Sequence, residues 1–444
     1  MQDTPTNAYA ARRARLMDAI GEDAVAIFVS GDEKLRSRDT DYRYRAHSDV
    51  LYLTGFEEPE AILVIAPGHD EGATTLFVRP RDKERETWTG RRAGPEGAVA
   101  DFGADTAHPL EELDDKLPDL MRGREVLYVE LGRDAAFDAR IHRLLGGLRR
   151  AKNRPPEAPT VLKDPREVLH AMRKVKGEEE LALLRRSCEI AAEAHLAAMK
   201  ACKPGMHEYE LQALIEYVFA RNGASFPAYS SIVGGGDNAT ILHYTTNRDL
   251  LRDGDLVLID AGCEFNYYAS DITRTFPVSG SFTPAQRDLY QAVLEAEEAA
   301  IAMCTVGSSW WDIHQATVRT LTQAMIDLKL LKGSLDELIE EEAYKAFYMH
   351  KTGHWLGMDV HDVGPYYDGE DYAKLSPGEV QTIEPGIYVS VDAEDVPDEM
   401  RGIGIRIEDD VLTTEDGPVV LTGGVPKSVE ALEDVVGSGY SFTV

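Results

Sequence analysis

Cysteine, long apolar runs and basic residues are all scarce in this chain of 444 residues. The 4 cysteines have no C-x-x-C spacing, which argues against a thiolate zinc site and predicts buried, reduced thiols in a cytoplasmic protein. The longest apolar runs, such as AILVIAP, have the length of a strand, so we expect no membrane partner. The N-terminal segment has no apolar core typical of a secretory signal.

The charge balance is strongly acidic. The sequence has 47 lysines and arginines against 78 aspartates and glutamates, a formal net charge of −31. Phosphate backbones bind basic faces, so nucleic acid is not expected as a partner. No G-x-G-x-x-G follows any predicted strand, which argues against a dinucleotide site. The acidic balance favours cationic ligands such as a free peptide amino terminus.

Two domains are predicted, 1–174 and 175–444. The first contains short apolar runs that end in Gly or Pro (AVAIFVSG, AILVIAPG, TTLFVRP and EVLYVELG), which predict an α/β domain with a mixed sheet. The second begins with two long helical runs and continues with strands, which predicts helices packed on an antiparallel-rich sheet. The segment LGGLRRAKNRPPEAPTVLKDPRE is interpreted as the end of the first domain and a connection.

Three histidines lie within the stretch FYMHKTGHWLGMDVHDVG: His350, His354 and His361. The first two are four residues apart, as in a zinc-binding helix, but that motif needs a glutamate beside the first histidine and here Lys351 takes its place. Gly353 also weakens a helix. The histidines are therefore either ordinary hydrogen-bonding residues of a loop or part of a site whose other members lie elsewhere.

Acidic residues embedded in apolar strands provide those other members. Asp260 ends the run DLVLID, Asp271 precedes another strand, Glu384 interrupts TIEPGIYV, and Glu408 shares a strand face with Arg406 in GIRIEDDV. Four neighbouring carboxylates cannot all stay ionised against one arginine, whereas two divalent cations would supply four positive charges. Oxygen-rich ligands with one imidazole suit Mn²⁺, Co²⁺ or Fe²⁺.

The segments LIDAG, SDITRTF, HKTGHWLGMDVHDVG, TIEPGIYV and RGIGIRIEDDV together resemble the M24 metallopeptidase family, which has the pita-bread fold. Within that family they resemble the aminopeptidase P branch. SDVLYLTGFEEPEAILV, ERETWTGRRAGPEGA and LTGGVPKSVEALEDVV resemble the N-terminal domain, Trp-containing segment and C-terminal tail of that branch. One departure is Lys351, where the family usually has Gly.

The resemblance implies an exopeptidase that releases the N-terminal residue from peptides with proline second. It implies a dinuclear centre, usually manganese, bridged by hydroxide, in which Asp271 and Glu408 contact both metals. The implied ligands are Asp260, Asp271, His354, Glu384 and Glu408. Glu384 is also expected to shuttle protons.

The resemblance further implies that His361 faces the scissile carbonyl and that His350 and His243 line the cleft. Arg406 is expected to anchor carboxylates, and Tyr388 and Val360 to form walls of a proline pocket. Trp88 is expected near the cleft of a neighbouring subunit, which implies a homo-oligomer, dimer or tetramer.

Four alternatives are compared with this reading, and the sequence disfavours each of them. Prolidase, an Xaa-Pro dipeptidase, has the same metal ligands, and a tripeptide assay would separate the two. Methionine aminopeptidase has no comparable N-terminal domain of this size. Creatinase-type amidinohydrolases and non-catalytic peptide- or histone-binding relatives lack metal ligands that this sequence retains.

Overall fold

A computed structural model of the chain describes residues 6–150 and 157–441, so part of the predicted connection, 151–156, lies outside the described residues. The chain divides into two compact units, Met1–Arg173 and Lys174–Val444. Among the described residues, no helix is both long and apolar enough to cross a membrane.

The first unit contains a mixed sheet, as the sequence predicted. The strands of this unit are β1 Ala24–Val29, β2 Leu35–Ser37, β3 Thr40–Asp41, β4 Ile62–Ile65, β5 Thr74–Val78, β6 Thr106–Pro109, β7 Val126–Val129 and β8 Val161–Lys163. Six of them form the mixed sheet in the order β6-β5-β4-β1-β7-β8, and β2 pairs with β3. The pairs β1/β4 and β4/β5 are antiparallel, and β1/β7, β5/β6 and β7/β8 are parallel. The four predicted apolar runs form β1, β4, β5 and β7.

The helices of this unit cover the sheet. Leucines and other apolar residues of α5 and α6 recur at helical spacing and are buried together with β1, β4 and β7 in one core. The helices are α1 Thr6–Ile20, α2 Ser48–Thr54, α3 Lys83–Thr89, α4 Gly94–Phe102, α5 Leu113–Met121, α6 Ala135–Arg149 and α7 Arg166–Lys174.

The second unit packs long helices on short antiparallel strands, again as predicted. Its helices are α8 Glu178–Ala201, α9 Glu208–Arg221, α10 Pro284–Ala302, α11 Trp310–Asp327, α12 Leu335–Glu340 and α13 Val429–Val435. The long apolar faces of α8, α9 and α10 share a core with the strands, which removes them from water and stabilises the unit. Helix α10 begins where the Thr283 hydroxyl accepts the backbone N–H of Gln286 and Pro284 occupies the first turn.

The strands of the second unit form several small sheets. They are β9 Phe226–Pro227, β10 Ile232–Gly235, β11 Leu256–Asp260, β12 Cys263–Phe265, β13 Tyr268–Ala269, β14 Thr273–Pro277, β15 Tyr367–Asp368, β16 Asp371–Tyr372, β17 Val380–Ile383, β18 Gly386–Val389, β19 Ile403–Arg406, β20 Asp409–Thr414 and β21 Gly417–Val420. Every pairing between these strands in the described residues is antiparallel, within β10-β11-β14, β13-β12-β9, β17-β20-β21, β18-β19 and β15-β16.

Candidate metal centre

Strand register brings the four predicted acids together. In the β11/β14 pair Asp260 lies opposite Thr273, two residues beyond Asp271. In the β17/β20 pair Ile383 lies opposite Asp409, so the residues next to them, Glu384 and Glu408, leave the sheet at one end. A bridge between Thr273 and Glu408 joins the two sheets. The acids therefore meet where several antiparallel strands end.

Asp260 and Asp271 share a hydroxyl group. The Tyr229 hydroxyl lies within hydrogen-bonding distance of an oxygen of each carboxylate, although its single proton serves one of them at a time. The other oxygen of Asp260 accepts an N–H of Arg406 at 2.5 Å. Both aspartates are buried, at 8% and 5% exposure, so these contacts replace hydration that the carboxylates have lost.

Glu408 is held from behind by Thr273. The Thr273 hydroxyl donates to Glu408 Oε2 at 2.6 Å and accepts the Arg406 Nε–H at 3.2 Å. As the alternation of the strand predicted, Ile405 and Ile407 point into the core while Arg406 and Glu408 line the cavity. Glu408 itself is 2% exposed.

The position of His354 suits a metal ligand. Its Nδ1 lies 3.0 Å from the Trp355 carbonyl oxygen, so Nδ1 carries the hydrogen in that contact and Nε2 is free to face the acids. Nε2 is 3.4 Å from Asp271 Oδ2 and 3.5 Å from Glu384 Oε1. Ligand atoms of Asp271, His354 and Glu408 all lie within 4.8 Å of one another.

The pKa values of the carboxyl groups indicate whether the cluster suits cations. Burial, with the nearby carboxylates of Asp271 and Glu384, raises the pKa of Glu408 well above its ordinary value. Burial raises the pKa of Glu384 to about 7, although His354 and Arg406 oppose the shift. The pKa of Asp260 is also raised, by burial and against the effect of Arg406. Burial therefore disfavours the ionised form of these carboxylates, which divalent cations would stabilise, so the donor set fits such cations.

Two further histidines belong to this region. Tyr388 links His350 to the arginine: Arg406 donates to the Tyr388 hydroxyl at 3.0 Å, and that hydroxyl lies 2.8 Å from His350 Nε2. Burial and Arg406 lower the pKa of His350 to about 3, so its ring is neutral. The ring centroid of His361 lies 4.3 Å from that of His354. Burial and His354 lower the pKa of His361 as well.

Most of these groups line a cavity of about 850 Å³. Of the predicted site residues, those that line it are Asp260, Asp271, His354, Glu384, Glu408, His243, His350, His361, Val360 and Arg406. Tyr388 is 2% exposed and lies outside this lining, with its hydroxyl behind His350. Trp88 belongs to the first unit, where it is 85% exposed on α3.

Two glycines permit the backbone of the site to pack closely. A Cβ on Gly262, between Asp260 and Asp271, would lie 1.7 Å from the Ser270 carbonyl oxygen. A Cβ on Gly353, next to His354, would lie 1.9 Å from the Thr382 carbonyl oxygen. Since neither position has room for a side chain, both loops require glycine.

The sequence did not indicate Tyr229 or Thr273. Tyr229 lies in the loop between β9 and β10, and Thr273 lies on a strand where threonine is common, so neither has a local pattern. The cavity is also lined by aromatic residues that were not predicted, which include Trp310, Trp311 and Tyr366. These residues are distant in the sequence and meet only in the folded chain.

A cavity with clustered carboxylates, one imidazole and flanking neutral histidines defines a metal-dependent hydrolase. The family model "Metallopeptidase family M24" matches residues 182–415, and "Aminopeptidase P, N-terminal domain" matches residues 9–128. The chain belongs to metallopeptidase family M24, which confirms the family, the fold class and the enzymatic nature predicted from the sequence.

Similar proteins cover nearly the whole chain. The Xaa-Pro aminopeptidase of Escherichia coli K12 is 45% identical over 435 residues, which is 98% of each chain. The structure of Pseudomonas aeruginosa aminopeptidase PepP matches with a TM-score of 0.96 and 47% identity over 98% of each chain. The zinc-substituted E. coli aminopeptidase P in complex with product matches with a TM-score of 0.94 and 44% identity, also over 98% of each chain.

Proposed function

We propose that this chain is an Xaa-Pro aminopeptidase, which hydrolyses the bond between an N-terminal residue and a following proline. The observation that carries the proposal is the cluster of Asp271, His354 and Glu408 beside two further carboxylates in the cavity. The relatives that match over the whole chain, including its N-terminal unit, bear that activity in their names. This favours the aminopeptidase over a dipeptidase.

The proposed ligands of two divalent cations are Asp260, Asp271, His354, Glu384 and Glu408. Their oxygen-rich donor set supports Mn²⁺ as the metal. Bound cations of this kind supply Lewis acidity and lower the pKa of water. The expectation that Asp271 and Glu408 would each contact both cations stays a prediction.

The side chains of the cavity perform the proton transfers and position the peptide. Glu384 accepts the proton of the attacking water and delivers it to the proline nitrogen as the C–N bond breaks. His361 donates a hydrogen bond to the carbonyl oxygen while negative charge develops on it. His243 and His350 contact the peptide, and Val360 packs against the proline ring. Proline is accepted as the second residue because binding there requires no hydrogen bond from a backbone N–H, which proline lacks.

Metal analysis and matched peptides test this function. Purified protein should contain divalent cations, lose activity to a chelator and regain it with Mn²⁺. It should release the first residue from Ala-Pro-Ala and leave Ala-Ala-Ala intact. If Ala-Pro is cleaved and Ala-Pro-Ala is not, the protein is a dipeptidase instead. If neither peptide is cleaved, the proposal is overturned.

The assembly and location are part of the same proposal. We infer a cytoplasmic homo-oligomer, a dimer or tetramer, in which Trp88 lies near the cleft of another subunit. The 85% exposure of Trp88 and the 4 buried free cysteines support it. Light scattering should give a mass above that of one chain, and Trp88→Ala should lower it. Leu35→Ala, which removes another exposed apolar side chain, is the control.

A further inference from the structure

The lining of the cavity has two chemically different parts. One part consists of the carboxylates, and the other, aromatic part contains ring side chains and the loop residue Lys351. The rings of Trp311 and Tyr372 stack with centroids 5.0 Å apart, and those of Tyr367 and Tyr372 lie 4.7 Å apart. Trp311 is 40% and Tyr367 is 55% exposed, so this stack presents apolar surface to solvent.

Lys351 supplies the positive charge in this aromatic part of the lining. Its ammonium lies 5.9 Å from the centroid of the Trp311 ring, within range of a cation–π contact. Among the described residues that line the cavity, Arg406 is already bound to Asp260, whereas Lys351 makes no ion pair. A free ammonium group in a chain with a net charge of −31 can therefore accept an anion from a ligand.

Lys351 follows His350 in the loop and lines the same cavity as the acids. The neighbouring His350 has Nδ1 2.8 Å from the Lys351 carbonyl oxygen and 3.9 Å from Glu384 Oε2. Under the proposed function a single residue precedes the scissile bond, and its ammonium group is attracted to the carboxylates. The rest of the peptide must extend away from them. Since an extended peptide rises about 3.3 Å per residue, the residues after the proline are the ones that can extend to the aromatic rings and Lys351.

We propose that Lys351 and the ring stack of Trp311, Tyr372 and Tyr367 form a subsite for a carboxylate located after the proline. This inference rests on the proposed function and narrows its substrates to short or acidic peptides. The carboxylate can be the side chain of an acidic third or fourth residue or the C-terminus of a tri- or tetrapeptide. In both cases the aromatic rings support the peptide and Lys351 pairs with the anion.

Matched peptides separate the two sources of the carboxylate. For the side chain, Ala-Pro-Ala-Glu-amide is compared with Ala-Pro-Ala-Gln-amide and Ala-Pro-Ala-Lys-amide. For the C-terminus, Ala-Pro-Ala is compared with Ala-Pro-Ala-amide. At least one acidic peptide should have a kcat/KM about two- to fivefold higher than that of its neutral counterpart, which is the range expected of a solvent-exposed ion pair. The difference should lie in KM. The preference should shrink as salt is added.

Variants of the lysine identify the group responsible. Lys351→Gln should abolish the preference, Lys351→Arg should keep it, and Lys351→Glu should reverse it toward Ala-Pro-Ala-Lys-amide. Lys374→Gln is the matched control, because Lys374 is exposed two residues after Tyr372 but does not line the cavity. Metal content and thermal midpoint should be unchanged in each variant, which excludes misfolding.

The outcomes distinguish this inference from the proposed function. If Xaa-Pro peptides are cleaved but acids and neutral partners react equally, or if the preference survives in Lys351→Gln, the subsite is wrong and the peptidase stands. If no Xaa-Pro peptide is cleaved by metal-supplemented protein, both are wrong.

Discussion

Two groups of buried charges each have one member in the same segment, at consecutive residues. Glu408 belongs to the site carboxylates, defined here as Asp260, Asp271, Glu384 and Glu408. Its neighbour Asp409 belongs to a buried ion network, defined here as Arg274, Glu297, Asp409 and Lys427. Successive residues of an extended segment point in opposite directions, so one backbone supplies both groups.

The ion network contains its own counter-charges. Asp409 accepts an Arg274 N–H and a Lys427 N–H, each at 2.7 Å, and Lys427 lies 2.8 Å from Glu297. Burial alone would raise the pKa of Asp409, but Arg274 and Lys427 hold it well below its ordinary value. The site carboxylates have Arg406 as their one arginine, and burial raises the pKa of Glu384 and Glu408 instead. The network has formally balanced charges, although burial and Asp409 still raise the pKa of its Glu297. Balanced formal charges favour a structural group, and an excess of carboxylates favours a cation site.

The largest effect should come from Glu408→Ala. Its removal takes away a ligand, so bound metal should be lost and activity should fall on the order of a hundredfold or more. The metal-free variant should melt at or above the temperature of the metal-free parent, because a carboxyl group whose ionised form is disfavoured by burial and by neighbouring acids has gone. Metal analysis and calorimetry measure both quantities. Full activity with two cations retained would refute the dinuclear assignment.

A substitution at the neighbouring residue, Asp409→Asn, should lower stability and leave metal binding intact, which is the opposite of Glu408→Ala. It leaves Arg274 and Lys427 without their shared carboxylate, and breaking a buried ion pair costs about 3–5 kcal/mol in the free energy of unfolding. The fraction that stays folded should still bind metal. Glu433→Gln, which removes the more exposed pair with Arg287, is the control and should cost under about 1 kcal/mol. Equal losses in the two variants would contradict the structural role of the network.

A finer comparison separates two histidines inside the site. His361→Ala should lower kcat by about 10²–10³, the cost of one lost oxyanion donor, with metal content unchanged. His354→Ala should lose metal as well as rate, since its Nε2 faces Asp271 and Glu384. Elemental analysis beside steady-state kinetics distinguishes them. Loss of metal from His361→Ala alone would mean that the two roles are exchanged.

The smallest effect concerns pH in metal-free protein. Folded Glu384 has a pKa of about 7 against an ordinary 4.5, so between these values the folded chain binds more protons than the unfolded chain. Stability from this group is therefore present below about pH 4.5 and is lost as pH rises toward 7, at up to about 1.4 kcal/mol per pH unit. Comparing chelated parent with chelated Glu384→Gln by denaturant titration should show a steeper pH slope in the parent. Identical slopes would contradict the raised pKa.

Much of the fold could be predicted because its signals are local. The apolar runs that became β1, β4, β5 and β7 and the helical periodicity of α8 and α9 do not depend on distant residues. Strands β6 and β8 were missed, since Thr106–Pro109 carries a proline and Val161–Lys163 is three residues long and exposed. Short edge strands of this kind are defined by pairing with a neighbour.

The acids of the site could also be predicted. A carboxylate within an apolar strand is expected to be buried, and burying it without a partner costs free energy, so its presence in the sequence indicates a partner or a metal. The polar groups that hold them could not. Thr273 contacts Glu408 from a position 135 residues earlier, and Tyr229 reaches two aspartates from a loop. Tyr388 was expected in the wall of the cavity, but β18 directs its hydroxyl behind His350.

The close approach at Gly262 and Gly353 has a practical consequence for engineering this protein. At both positions the backbones touch where a side chain would begin, so the spacing of the neighbouring ligands is fixed by main-chain packing. A designer who wishes to change the preferred metal can exchange the donor groups, but cannot retune their separation by point changes in these two loops. In a saturation library, Gly262 and Gly353 should tolerate as few replacements as the ligands themselves, although neither has a side chain that could bind anything.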